Sequence, residues 1–188
     1  MKMERLNMQL RRIGRWLSFM LLCLLCACGR AASPRHSDEP VSLGILGYNY
    51  TNKYIDSFSV NGQGGGNIQV SSPSSGGSGI VCCVSYRPGS PIKTVHIRWQ
   101  SGACYFKEQS SLSKQMFDTL YSFYKEQDAP VEVLTADDPQ YMEIHFYPDG
   151  SIKAAITAGI SDPRLSLDGQ RNDPIRYPRC PNDRKPKE

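Results

Sequence analysis

The run Trp16-Leu-Ser-Phe-Met-Leu-Leu-Cys-Leu-Leu-Cys-Ala27 lies behind a basic N-terminal stretch and is followed by a polar, proline-bearing segment. Twelve residues fall short of the ~20 apolar ones a membrane-spanning helix needs. A basic lead, a short apolar core and a small residue before the break form the pattern of a cleaved export signal. This constrains everything downstream: residues 1–27 contribute nothing to the fold, and the remaining 161 residues mature where thiols oxidise. That length suits one domain with a hydrophobic core of its own.

Leu25-Cys26-Ala27-Cys28 resembles a bacterial lipoprotein box, in which the signal is cut before the cysteine and the new N-terminal Cys28 is acylated. Two or more acyl chains anchor a protein stably, whereas one does so only reversibly. The expected organisation is a signal peptide at 1–27, a tether at 28–40 and a single periplasmic domain at 41–188, held to the membrane by lipid, with the outer membrane favoured over the inner. Arg11-Arg12 reads as part of an ordinary basic lead rather than a twin-arginine signal. The signal carries five of the 22 basic residues and one of the 18 acidic ones, leaving 17 of each in the mature part. A net charge of zero gives no electrostatic reason for a nucleic-acid partner.

Of the seven cysteines, Cys23 and Cys26 leave with the signal, so their C-x-x-C spacing is no redox motif, and Cys28 is committed to lipid. Cys82, Cys83, Cys104 and Cys180 remain to form two disulfides. Strain disfavours a bond between the neighbours Cys82 and Cys83, which leaves two pairings. In one, Cys83 joins Cys104 and Cys82 joins Cys180, closing loops of about 20 and about 100 residues worth roughly 3 and 4.7 kcal/mol in the chain-entropy model. In the other, Cys82 joins Cys104 and Cys83 joins Cys180. A zinc site built on Cys83, His96 and Cys104 is the weaker alternative, since none of the spacings is that of a zinc motif.

The expected fold class is α+β, mainly antiparallel β hairpins with one amphipathic helix packed on the sheet. Residues 41–60 are rich in β formers, and the glycine-rich stretch 61–66 separates them from an alternation at Ile68 and Val70. A hairpin over 80–87 and 92–99, turning at Pro88-Gly89-Ser90-Pro91, would pair Ile80 with Trp99, Cys82 with Ile97 and Val84 with Val95, and would bring Cys83 beside His96 on the other face. Over 111–127 the apolar residues Leu112, Met116, Phe117, Leu120, Tyr121, Phe123 and Tyr124 gather on half of a helical wheel. A second hairpin, turning at Pro148-Asp149-Gly150, would pair Met142 with Ile156, Ile144 with Ala154 and Phe146 with Ile152, and would leave His145 outward beside Lys153. From Ser161 the chain is expected to run irregularly over the surface until Cys180 pins it.

Reacting constellations are sparse. The sequence holds no G-x-S-x-G, no H-E-x-x-H and no phosphate loop, since the glycines at 62–66 lack the lysine and hydroxyl that would follow. His36 lies in the tether, and His96 and His145 have no acidic partner at a telling spacing. Asp162, Asp168 and Asp173 do not match a calcium loop. These residues point to no cofactor, no metal and no enzyme.

The segments Gly47-Tyr48-Asn49-Tyr50-Thr51, Tyr54-Ile55-Asp56, Phe58, Val60-Asn61-Gly62, Gly64-Gly65-Gly66-Asn67 and Val81-Cys82-Cys83-Val84 resemble a family of uncharacterised bacterial lipoproteins, over about residues 43–106. Members are often encoded beside phospholipase effectors of type VI secretion systems. The resemblance implies an immunity protein, an envelope-anchored inhibitor that binds an incoming secreted phospholipase and blocks its active site or its access to membrane. The alternative is an envelope-structural or glycan-binding lipoprotein presenting Tyr48, Tyr50 and Tyr54.

Overall fold

The computed structural model describes residues 39–135, 137–168 and 177–187. The expected signal, the expected acylation site Cys28 and all but the end of the expected tether lie outside the described residues. Eight strands follow in chain order: β1 (Val41–Asn49), β2 (Ile55–Val60), β3 (Gln63–Ile68), β4 (Val81–Tyr86), β5 (Thr94–Gln109), β6 (Met116–Val133), β7 (Tyr141–Phe146) and β8 (Ile152–Thr157). They form one sheet in the order β3-β2-β5-β6-β8-β7-β1-β4, with β1/β7 and β6/β8 parallel and the other pairs antiparallel. The sheet curls until its two end strands face each other. A Cβ on Gly66 in β3 would lie 3.2 Å from Val81 of β4, so the barrel is nearly closed.

Alternation decides what fills it. Leu43 and Ile45 from β1, Ile97 from β5, Ile144 from β7 and Ile156 from β8 point inward and are fully buried. Filling the interior with β-branched and aromatic side chains while polar residues alternate outward is the usual solution for a small barrel. The β7/β8 hairpin has the register that parity demands, Met142↔Ile156, Ile144↔Ala154 and Phe146↔Ile152. Its turn is held by Asp149, whose carboxylate accepts from the backbone N–H and hydroxyl of Ser151.

The α+β expectation is overturned, because the described residues contain strands and a single 3-10 turn at Pro181–Asp183 but no amphipathic helix on a sheet. Residues 111–115 turn, with Lys114 in the left-handed region at φ 61°, and β6 begins at Met116. It then pairs with β5 all the way from Gln109↔Met116 to Thr94↔Pro130. The helical period was a coincidence of apolar side chains on both faces of one strand: Phe117, Tyr121 and Phe123 on one, Met116, Leu120 and Tyr124 on the other. Aromatic residues favour strands, and β5 offers a long partner that pairs with this segment along its length, apart from the shift at Ser101.

The hairpin over 80–87 and 92–99 is also corrected. β4 pairs with β1, and β5 pairs with β2 and β6, on the far side of the barrel. Val84, Val95 and Ile97 do face the core, since parity within a strand survives a change of partner. The pairing itself depends on which edge is free, and parity carries no information about that. Register shifts on β4 between Leu43↔Val84 and Ile45↔Val81, so Cys82 and Cys83 together oppose Gly44 as a bulge.

Of the glycine-rich stretch, only Asn61 and Gly62 form the turn, both at positive φ as a type I′ hairpin requires. The rest is β3, where Gly65 gives its side-chain space to Phe58. A Cβ there would lie 2.2 Å from the ring of Phe58, which packs edge-on against Phe146. Gly65→Ala should cost about 1–3 kcal/mol in urea unfolding, whereas Gly64→Ala, with open space around its Cβ position, should be close to neutral.

Candidate functional site

Past Trp99 the β5/β6 hairpin leaves the barrel and projects as a two-stranded arm. A register shift between Gln100 and Gly102 transfers the inward face from Val95, Ile97 and Trp99 to Gly102, Cys104 and Phe106. On that face Cys104 is bonded to Cys180, with a Cα separation of 4.9 Å, and the two pack with Phe106 and Tyr121. The C-terminal segment thereby lies along the free edge of β5. Tyr105 donates its N–H to Pro178, and Cys180 donates to Tyr105. Arg179 grips Asp118 with both terminal nitrogens at 2.6 and 2.8 Å, and Lys107 adds an ion pair at 2.9 Å. The hydrogen bonds from Arg179 and then Lys107 hold the Asp118 carboxyl down to about 2.

Beyond this brace the arm exposes several large apolar side chains among its polar ones. Leu112 at its tip is 94% exposed, Met116 56% and Phe117 46%. Leu120, Phe123 and Tyr124 are exposed as well. β6 meets β8 only from Val131 onward, so along the arm its outer edge carries no strand partner among the described residues. A cluster of large exposed apolar side chains on an unpaired strand edge is a surface built for contact.

Where the arm departs, the barrel opens into a mouth of about 700 Å³. Ile55, Trp99, Phe146 and Ile152 form its floor, Phe123 one wall, and Lys53 and Lys125 line it too.

A third feature is a buried polar layer on the outside of the barrel. The outward residues of β1 and β7, Tyr48, Glu143 and His145, have no exposed surface, and Tyr50 has almost none. Residues 158–168 cross over them as a strap. Tyr48 donates its hydroxyl to the carbonyl of Ser161, the Ser161 N–H donates to Glu143 at 2.8 Å, and the Arg164 N–H donates to Tyr50 Oη at 2.8 Å. The hydroxyl of Tyr50 also shares a hydrogen bond with Nδ1 of His145, 3.0 Å away. Nε2 of His145 faces Oε2 of Glu143, 3.4 Å away. The His145 ring also stacks on Tyr48 at 4.5 Å. Burial lowers the pKa of His145, so it is neutral at pH 7. Burial acts to raise Glu143, but the neighbouring imidazole of His145 and the hydrogen bond from the Ser161 N–H outweigh it and leave the carboxyl below its ordinary value.

The cysteines depart from both expected pairings. Cys82 is bonded to its neighbour Cys83, and Cys104 to Cys180. β4 and the arm lie on different parts of the barrel, so Cys83 and Cys104 do not meet, and the bulge supplies the local backbone change that a bond between neighbours demands. His96 faces Asp128 and Glu126 on β6, at 3.0 and 3.6 Å, rather than Cys83. These acidic partners are distant in sequence and become neighbours only through the β5/β6 register. His145 does lie opposite Lys153 in register, yet under the strap rather than in solvent. Tyr48 and Tyr50 are likewise buried, and the Asn49 amide is turned inward to Lys53 and Thr51. Asp173 lies outside the described residues. The arm and the mouth were missed, and the available signal was the density of exposed-type aromatics between Tyr105 and Tyr124.

Residues 48–154 match the family described as Protein of unknown function (DUF3304). The chain belongs to that family. The match spans the buried layer, both open features and the vicinal cysteine pair, and it ends before Cys180. Comparison with curated proteins and with solved structures finds no match.

Two outcomes follow. His145 has a folded pKa below its unfolded value near 6.5, so between the two the unfolded chain binds more protons and stability is lost as pH falls; Glu143, also depressed, adds loss in the same direction below about pH 4.5. Urea midpoints should therefore drop on acidification from pH 7 to 5, and His145→Gln should flatten that drop. Non-reducing peptide mapping should find Cys104 linked to Cys180 and an intramolecular bond within the Cys82-Cys83 peptide. The Cys104→Ala, Cys180→Ala double variant should lose up to about 4 kcal/mol of stability.

Proposed function

We propose that this protein is a lipid-anchored envelope protein whose folded domain binds and inhibits a phospholipase effector delivered by a type VI secretion system. The lipoprotein-like signal and the resemblance over residues 43–106 support the anchor and the class of partner. The observation that carries the binding half of the reading is the arm, with Leu112, Met116, Phe117 and Leu120 held in solvent on a rigid, disulfide-braced hairpin. Unpaired surfaces of this kind are what protein interfaces bury. An enzyme that draws lipid from a membrane must itself carry an apolar entry for acyl chains. A projecting apolar prong competes for that entry, and the free edge of β6 offers main-chain hydrogen bonds to hold it.

The glycan-binding alternative rested on Tyr48, Tyr50 and Tyr54 at the surface. Burial of the first two under the strap removes the stacking platform it required.

The test is co-purification of the full chain with a type VI secretion phospholipase effector from the same genome, followed by assay of lipid hydrolysis. The wild-type chain should co-elute and suppress turnover. Met116→Asp with Leu120→Asp places charge at two exposed positions and should weaken inhibition by at least about tenfold while leaving the urea midpoint unchanged. Failure of the wild-type pair to associate or to change turnover overturns the reading.

A further inference from the structure

The mouth of the barrel has a different character from the arm and does not depend on any protein partner. Its floor is the exposed end of the hydrophobic core, where Ile55, Phe146 and Ile152 are buried and Trp99 is half-buried. A barrel of this size is usually filled to its ends, or holds one small ligand. Here the core stops at Trp99 because the strand beside β6 runs out: β8 reaches back only to Ile152, while β6 continues past Lys125 and Phe123 into the arm. The space left over, about 700 Å³, lies within the ~300–1,000 Å³ typical of small-molecule sites.

The charges around it are of one effective sign. Lys125 stands directly opposite Trp99 in the β5/β6 register, on the same inward face, and Lys53 reaches the mouth from the β1–β2 connection. Neither has an ion-pair partner among the described residues. Glu126 also borders the mouth, but its carboxylate is engaged by Arg98 at 3.2 Å and His96 at 3.6 Å on the other face of the hairpin. An apolar floor beneath two free ammonium groups is complementary to a molecule with an apolar tail and an anionic head.

Gly102 adds a third observation. It lies on the inward face opposite Phe123 and lines the mouth, and a Cβ there would meet only the Phe123 ring at 4.0 Å. Its φ is not in the left-handed region, so the backbone does not require glycine. A side chain at this position would occupy the cavity rather than disturb the fold.

We infer that the mouth of the barrel binds a single-chain anionic amphiphile, with the acyl chain laid over Trp99, Phe146 and Ile152 and a carboxylate or phosphate head held by Lys53 and Lys125. A free fatty acid and a lysophospholipid share this chemistry, and the head decides between them.

The probe is a dodecanoic acid carrying a diazirine on its chain, photolysed with the full-length protein in a non-ionic maltoside and mapped by peptide mass spectrometry. Label should concentrate on the peptides bearing Trp99 and residues 146–152. Gly102→Phe should cut it by about tenfold or more by filling the cavity. Lys53→Met with Lys125→Met, both at exposed positions, should weaken labelling by the acid about tenfold and leave labelling by the matching dodecanol probe unchanged. Competition by unlabelled dodecanoate at lower concentration than 1-dodecanoyl lysophosphatidic acid assigns a fatty acid, and the reverse order assigns a lysophospholipid. Label confined to residues 112–120, no competition by either compound, or equal loss of acid and alcohol labelling in the lysine variant overturns the assignment. Should Gly102→Phe fail to fold, as read by its near-ultraviolet dichroism, the lysine variant decides alone. Loss of phospholipase inhibition in the Met116→Asp, Leu120→Asp variant with intact labelling keeps this site apart from the proposed inhibitory surface.

Discussion

The pairing of β5 with β6 is the interaction on which the rest depends. Its lower half, from Thr94↔Pro130 to Trp99↔Lys125, supplies two adjacent walls of the barrel, and its upper half extends beyond any other strand. Antiparallel hydrogen bonding is indifferent to whether a third strand lies alongside, so one continuous ladder can serve as core scaffold at one end and as a free prong at the other. The register shift near Ser101 lets the two halves differ. Below it the inward residues complete the core, and above it the same face receives Cys180, Phe106 and Tyr121. A long two-stranded ribbon in water is marginal by itself. Here the C-terminal segment stiffens it through a disulfide, two backbone hydrogen bonds and the Arg179–Asp118 clamp.

The opposite wall carries a buried polar network beside a small apolar cluster. β1 and β7 run parallel, and parallel strands need both faces covered. The barrel interior covers one face. The strap over residues 158–168 covers the other, bound through hydrogen bonds with Tyr48, Tyr50 and Glu143 and through Leu167, which packs on the small apolar cluster of Leu46, Tyr48 and Tyr50. Such groups are costly to bury unpaired, and the strap pairs Tyr48, Tyr50 and one oxygen of Glu143, while Glu143 Oε2 and His145 Nε2 face each other without a hydrogen bond. The network specifies where an otherwise irregular segment lies, and His145 links its two halves by bonding Tyr50 and facing Glu143.

Legibility of the fold followed the range of the interactions. The β7/β8 hairpin was readable because its turn, alternation and pairing lie within 17 residues of one another. The first hairpin was not, since Val84 and Val95 face the same core while belonging to strands on opposite sides of it. The false helix at 111–127 shares this cause: a strand with apolar side chains on both faces has no period-2 signature, and only its partner reveals it. Local strain argues against a bond between Cys82 and Cys83, yet the bulge that pairing with β1 imposes lets the two neighbours bond.

By itself, the amino-acid order determined a short apolar stretch near the start, the balance of charge beyond it, and the inward parity of individual strands. These are local properties, set by side-chain type and by the two-residue repeat of an extended backbone. Tertiary structure alone decided which strands meet, which cysteines bond, that Glu143 and His145 are buried together, and that a mouth opens beneath a bare apolar arm. Each of those depends on the distance between residues far apart in the chain, which alternation and spacing do not encode.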